Sequence, residues 1–72
     1  MSFKNILLEK DQSVWTITFN RPEHMNAISM ATVPELLEAL REVASDESAR
    51  VLVMTGAGDR AFSAGADVAD MV

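Results

Sequence analysis

The chain has 72 residues, a formal net charge of −5 and a sequence pI near 4.5. It holds at most one domain, and a domain of this size buries only about 60% of the surface its unfolded chain exposes. It has no cysteine and a single histidine, His24, which excludes disulfide staples and cysteine- or histidine-built metal centres; the acidic balance, with no cluster of Lys or Arg, excludes a nucleic-acid surface.

The N-terminal "MSFKNILLEK" has neither the long apolar stretch nor the cleavage site of a signal peptide, and no apolar run reaches the ~20 residues that span a membrane. A cytoplasmic protein without membrane association is expected. "FKNILLE" and "VWTITF" predict two antiparallel strands joined through the polar "KDQS". In the second, Trp15, Ile17 and Phe19 share one face and Val14, Thr16 and Thr18 the other. Asn20 to Ser29, "NRPEHMNAIS", reads as a loop, because Pro22 and two asparagines break the pattern.

Val33, Leu36, Leu37, Leu40, Val43 and Ala44 then recur at helical spacing, with Glu35, Glu38, Arg41 and Glu42 assigned to the solvent side. "TVPE" fits a capping box, with Thr32 as N-cap, Glu35 closing it and Pro34 harmless in the first turn. The regular helix is therefore expected from near Val33, after a single irregular turn from Ser29. "RVLVMTG" reads as a strand apolar on both faces, and "DVADMV" as the start of a second helix capped by Asp67. One complete helix and one further turn cannot cover such a strand on both sides, so the β-β-α-β order reads as the front of a larger α/β domain.

The segment "TGAGDRAFSAGADVADMV" is rich in Gly and Ala but carries no nucleophile, base or metal cluster. Gly56, Gly58 and Ala61 fit a permissive dinucleotide fingerprint. Against that reading, a second glycine loop follows where a helix should open, and no acidic residue lies about 20 positions on. The plainer reading is that Gly56, Gly58 and Gly65 supply positive φ angles in turns.

Taken together, "ITFNRPEHMNAIS", "ARVLVMTG" and "AFSAGAD", in this order and spacing, closely resemble the N-terminal part of the crotonase family, the enoyl-CoA hydratase/isomerase superfamily. The resemblance implies that residues 1–72 are the N-terminal portion of one crotonase-like α/β domain, a spiral of β-β-α units that is incomplete at this length. It implies binding of an acyl-CoA thioester and stabilisation of an enolate by backbone N–H groups, with coenzyme A part of the substrate and no separate cofactor. The Ala66 N–H maps onto one oxyanion donor, and Met25, Ala27, Ala64, Asp67 and Val68 map onto the CoA and acyl pocket. The second donor and the acid/base carboxylates of hydratases belong to later parts of the family fold, and Glu35, Glu38 and Glu42 do not replace them. The chain by itself is thus expected to be inactive, and its full-length parent a homotrimer or hexamer.

The resemblance covers several reactions that share this half-site, and hydration of a 2-enoyl-CoA is the default expectation because it is common in the family. Arg21 reads either as a contact to a CoA phosphate or as structural, and His24 as solvent-facing. The alternative from another class is a stand-alone α/β interaction module that uses an uncovered sheet face.

Overall fold

The computed structural model describes residues 3–59, 61–63 and 65. Strands β1 (Ile6–Asp11) and β2 (Val14–Phe19) form an antiparallel hairpin, with Ile6 opposite Phe19 and Asp11 opposite Val14. The strand begins later than "FKNILLE" suggests and takes in Lys10 and Asp11, so the turn shrinks to Gln12 and Ser13. Gln12 adopts the left-handed conformation, φ 58°, that such a tight reversal demands. A crossover through helix α1 (Thr32–Ala44) leads to β3 (Val51–Gly56), which pairs parallel to β2, giving the sheet order β1-β2-β3.

The core sits where the sheet meets α1. Ile6 and Ile17 are fully buried, with Phe19 and Ala39 beside them; Leu8, Ile28, Leu36 and Leu52 pack around this cluster. The predicted apolar face of β2 is the one that is buried.

The helix departs from expectation in two ways. No capping box forms: Ala31 occupies the N-cap with helical dihedrals and makes no side-chain cap, and Thr32 is already the first helical residue. The Thr32 hydroxyl instead meets the Ser29 hydroxyl at 2.9 Å and accepts the Ser29 N–H, closing the irregular turn anticipated from Ser29. Glu35 is not on the solvent side. Its carboxylate accepts the backbone N–H groups of Lys4 (3.1 Å) and Asn5 (2.9 Å) and the Asn5 amide, satisfying donors that precede β1 and have no sheet partner. The buried stripe runs through Thr32, Leu36 and Ala39, while Val33, Leu37 and Leu40 of the predicted apolar face are exposed, Leu37 by 48%. β3 is likewise not buried on both faces: it is an edge strand whose Val51, Val53 and Met54 are exposed. Among the described residues, no helix is long and apolar enough to cross a membrane.

Candidate functional site

Because β2 and β3 run parallel, their carboxyl ends lie together, and the two loops that leave them, 20–31 and 57–65, converge there. Crevices at the carboxyl ends of parallel strands are where open α/β sheets bind ligands.

The first loop folds as a short 3-10 turn, Pro22–His24, ended by two consecutive left-handed residues, Met25 (φ 54°) and Asn26 (φ 58°). Asparagine tolerates this region because its short polar side chain can bond locally. Asn26 does more than that. It is 2% exposed, its Oδ1 accepts the Arg21 N–H (2.9 Å), and its Nδ2 donates to the carbonyls of Ala57 (3.0 Å) and Ala61 (2.8 Å) in the second loop. Two further bonds join the loops: Ser63 Oγ donates to the Asn26 carbonyl at 2.9 Å, and the Ile28 N–H to the Gly65 carbonyl at 2.7 Å.

The glycines divide by mechanism. Gly58 (φ 80°) and Gly65 (φ 95°) have the positive φ expected of turn glycines. Gly56 does not. A Cβ there would lie 2.3 Å from the Phe62 carbonyl oxygen, 2.5 Å from that of Ala61 and 2.6 Å from Asn26 Nδ2. Gly56 is therefore glycine because the second loop folds back onto it and the Asn26 amide fills the space beside it. Phe62 closes this end of the sheet edge-on against Phe19, with ring centroids 5.4 Å apart.

Of the residues assigned from sequence, Met25 is exposed and, with Pro22, faces Ala57, Gly58 and Asp59 across a cleft of about 80 Å³. Ala27 lies beside it, but its N–H already donates to the His24 carbonyl (3.1 Å) and its carbonyl accepts Arg21 Nη1 (2.7 Å). That bond gives Arg21 a structural role within the loop. His24 is exposed, as expected. Ala64, Ala66, Asp67 and Val68, and the helix start assigned to "DVADMV", lie outside the described residues. A more open hollow of about 330 Å³ lies over Thr55, Gly56 and Phe62. Binding sites for drug-sized ligands usually enclose about 300–1,000 Å³ and bury most of the ligand. The cleft is too small for that and the larger hollow is open, so neither encloses a ligand of that size. No cluster of three or more His, Cys, Asp or Glu that could hold a metal occurs among the described residues.

The sequence reading passed over Asn26, Ile28 and Ser63. For Asn26 a signal existed: an asparagine directly after a Pro-initiated turn suits a left-handed position and can satisfy two carbonyls at once. The bonds made by Ile28 and Ser63 are long-range, and nothing local announces them.

A family model described as enoyl-CoA hydratase/isomerase matches residues 9–72. The chain belongs to the enoyl-CoA hydratase/isomerase family. It is 41% identical over 71 residues to a crotonyl-CoA hydratase of Syntrophomonas wolfei, an alignment covering 99% of this chain and 27% of the relative. It is also 41% identical over 71 residues to a probable 3-hydroxyisobutyryl-CoA hydrolase 2 of Arabidopsis thaliana, covering 99% of this chain and 18% of that protein. A solved enoyl-CoA hydratase/isomerase from Mycobacterium paratuberculosis superposes with a TM-score of 0.87 at 46% identity, over 94% of this chain and 26% of that one. The chain thus spans roughly a quarter or less of the length of these relatives, and its β-β-α-β arrangement is part of a crotonase-like fold. Equal identity to a hydratase and a hydrolase means that this segment identifies the family without separating its reactions.

Proposed function

We propose that this segment forms one wall of an acyl-CoA site in an enoyl-CoA hydratase, and that the Ala66 N–H is one of two oxyanion donors to the thioester carbonyl. Abstraction of a proton from the α-carbon, or addition of water to the β-carbon of an enoyl thioester, drives negative charge onto the thioester oxygen. Preorganised N–H donors stabilise that charge most where water is excluded. The observation that carries the reading is the double anchoring of Gly65, whose N–H donates to Ser63 Oγ (3.1 Å) and whose carbonyl accepts the Ile28 N–H (2.7 Å). In a planar trans peptide the N–H points opposite to the carbonyl, so an anchored Gly65 carbonyl would orient a donor N–H on the residue that follows. Met25, Ala27, Ala64, Asp67 and Val68 would line the CoA and acyl groove. Coenzyme A arrives as part of the substrate and no separate cofactor is required. The acid/base carboxylates and the second donor would come from outside these 72 residues, so the segment alone would be inactive. The complete enzyme would be a cytoplasmic homotrimer or hexamer.

Ala66→Pro in the complete enzyme tests this, since it deletes the N–H while adding little bulk. Loss of one oxyanion donor lowers kcat by about 10² to 10³. The expected pattern is retained CoA binding with collapsed kcat for the proline variant, and near-normal kcat for Ala66→Gly. A proline variant that folds, binds CoA and turns over crotonyl-CoA normally would remove Ala66 from the mechanism and leave the family membership intact.

A further inference from the structure

We infer that Asn26 is a positioning residue for the oxyanion donor, acting through Ser63 and Ile28 on the Gly65–Ala66 peptide; this rests on the reading of Ala66 above.

Every polar group of Asn26 is engaged within the protein. Its N–H donates to the Arg21 carbonyl (2.7 Å), its carbonyl accepts Ser63 Oγ, its Oδ1 accepts the Arg21 N–H, and its Nδ2 serves two carbonyls of the second loop. At 2% exposure it has no remaining donor to offer a substrate, so any effect on turnover must pass through its neighbours.

Two routes lead from it to Gly65. One is a strut: the Gly65 N–H donates to Ser63 Oγ, which itself donates to the Asn26 carbonyl. The other runs along the backbone, two residues on, where the Ile28 N–H holds the Gly65 carbonyl. Packing does not set the Gly65 conformation, because a Cβ added there would meet nothing within 4 Å. Hydrogen bonds at its two ends hold it at φ 95°: one from Ile28 in the segment that the Asn26 side chain clamps to Ala57 and Ala61, the other to Ser63, itself tied to the Asn26 carbonyl. Removing that amide frees the second loop to move relative to Ile28, and the donor with it. A misplacement of about 1 Å in such a site can cost 10²-fold in rate.

The test uses the complete enzyme with crotonyl-CoA as probe. Asn26→Ala is expected to lower kcat about 10- to 100-fold while KM and the Kd for CoA stay within about threefold, the mark of an interaction made mainly in the transition state. The carbonyl stretch of bound crotonyl-CoA, shifted to lower wavenumber by the oxyanion donors, should move back toward its value in water. A merely structural role would reduce the amount of folded enzyme and leave that frequency unchanged in the bound fraction. Ser63→Ala, a smaller lesion that removes only the strut, should change both quantities in the same direction to a lesser degree, and it decides the matter if Asn26→Ala does not fold. Wild-type kcat and carbonyl frequency in the folded variant would overturn the positioning role while the Ala66 reading stands. An unshifted carbonyl in the wild-type enzyme, or normal turnover by Ala66→Pro, would overturn both.

Discussion

At the Trp15 end of the sheet, three side chains gather around the Asp46 carboxylate: Oδ2 accepts Trp15 Nε1 at 2.7 Å and pairs with Lys10 Nζ at 2.8 Å, while Oδ1 accepts the Ser48 hydroxyl and N–H. At the Phe19 end, the central group is the neutral Asn26 side-chain amide, whose partners are all backbone groups. The ends are four residues apart along β2, roughly 13 Å, which exceeds a Debye length of about 10 Å at 0.1 M ionic strength. Each arrangement suits its place. A solvated charge cluster can shift by tenths of an ångström without consequence, and it ties the α1–β3 connection to the hairpin. A buried amide that loses a partner leaves carbonyls unsatisfied, at a cost of about 1–3 kcal/mol each, so it holds its loops in one geometry. The end proposed to stabilise an oxyanion is built from the stiffer of the two.

The harshest way to break the Phe19 end is Gly56→Ala. The new Cβ would overlap two backbone oxygens, which cannot swing aside as a side-chain tip can. Relief requires the second loop to lift off β3, dragging the Asn26 amide and Phe62 with it. Urea unfolding of the complete enzyme should show a loss of about 3 kcal/mol, the upper part of the usual range for overpacking. Turnover should fall with it. A loss below about 1 kcal/mol would mean that the loop is softer than its hydrogen bonds indicate.

Much of the architecture could be read from local pattern. The alternation in "VWTITF" located the buried face of β2, and the break at Pro22 located the loop. The face of α1 was misjudged because Val33, Leu37 and Leu40 repeat at helical spacing as well as Leu36 does. Which stripe is buried depends on where the helix lies on the sheet. Glu35 carried an acceptable local role as a capping residue, and a long-range one, satisfying the N–H groups of Lys4 and Asn5, prevailed. Gly56 shows the same limit at the site: it lies two residues from Gly58 in one glycine-rich run, yet one is required by close approach and the other by φ. Family resemblance supplied what local pattern could not, by naming the loops that meet.

Gly58→Ala separates those two requirements. Gly58 has φ 80°, and the nearest atom to an added Cβ is Pro22 Cβ at 3.4 Å, an ordinary contact. Only the left-handed backbone is penalised, by about 1–2 kcal/mol. Gly58→Asn should cost less, because asparagine tolerates this region. Equal losses for Gly56→Ala and Gly58→Ala in urea unfolding would show that steric overlap at Gly56 is relieved cheaply, and would weaken the contrast between the loop and the rest of the sheet.

The smallest effect is expected at the Trp15 end, from Asp46→Asn, and its dependence on pH is what sharpens the comparison. The Lys10 ammonium, followed by the Ser48 hydroxyl and N–H and the Trp15 indole N–H, holds the Asp46 carboxyl well below the usual carboxylate range. A group whose pKa is depressed by folding contributes stability that is fully present above its unfolded value, about 3.9 for Asp, and is lost as pH falls through the lower folded value. The stability gap between wild type and Asp46→Asn should therefore be constant from about pH 5 to 8 and shrink below pH 4. It should also narrow in high salt, because the Lys10 pair is in contact with solvent. Asn26→Ala offers the matched control: none of the groups bonded to Asn26 titrates, so its penalty should not vary over the same pH range or with salt. Urea unfolding of wild type and both variants between pH 3 and 8 measures this directly. A gap for Asp46→Asn that persists unchanged at pH 3 would show that folding does not depress the Asp46 pKa, and the two ends of the sheet would then differ in stiffness alone.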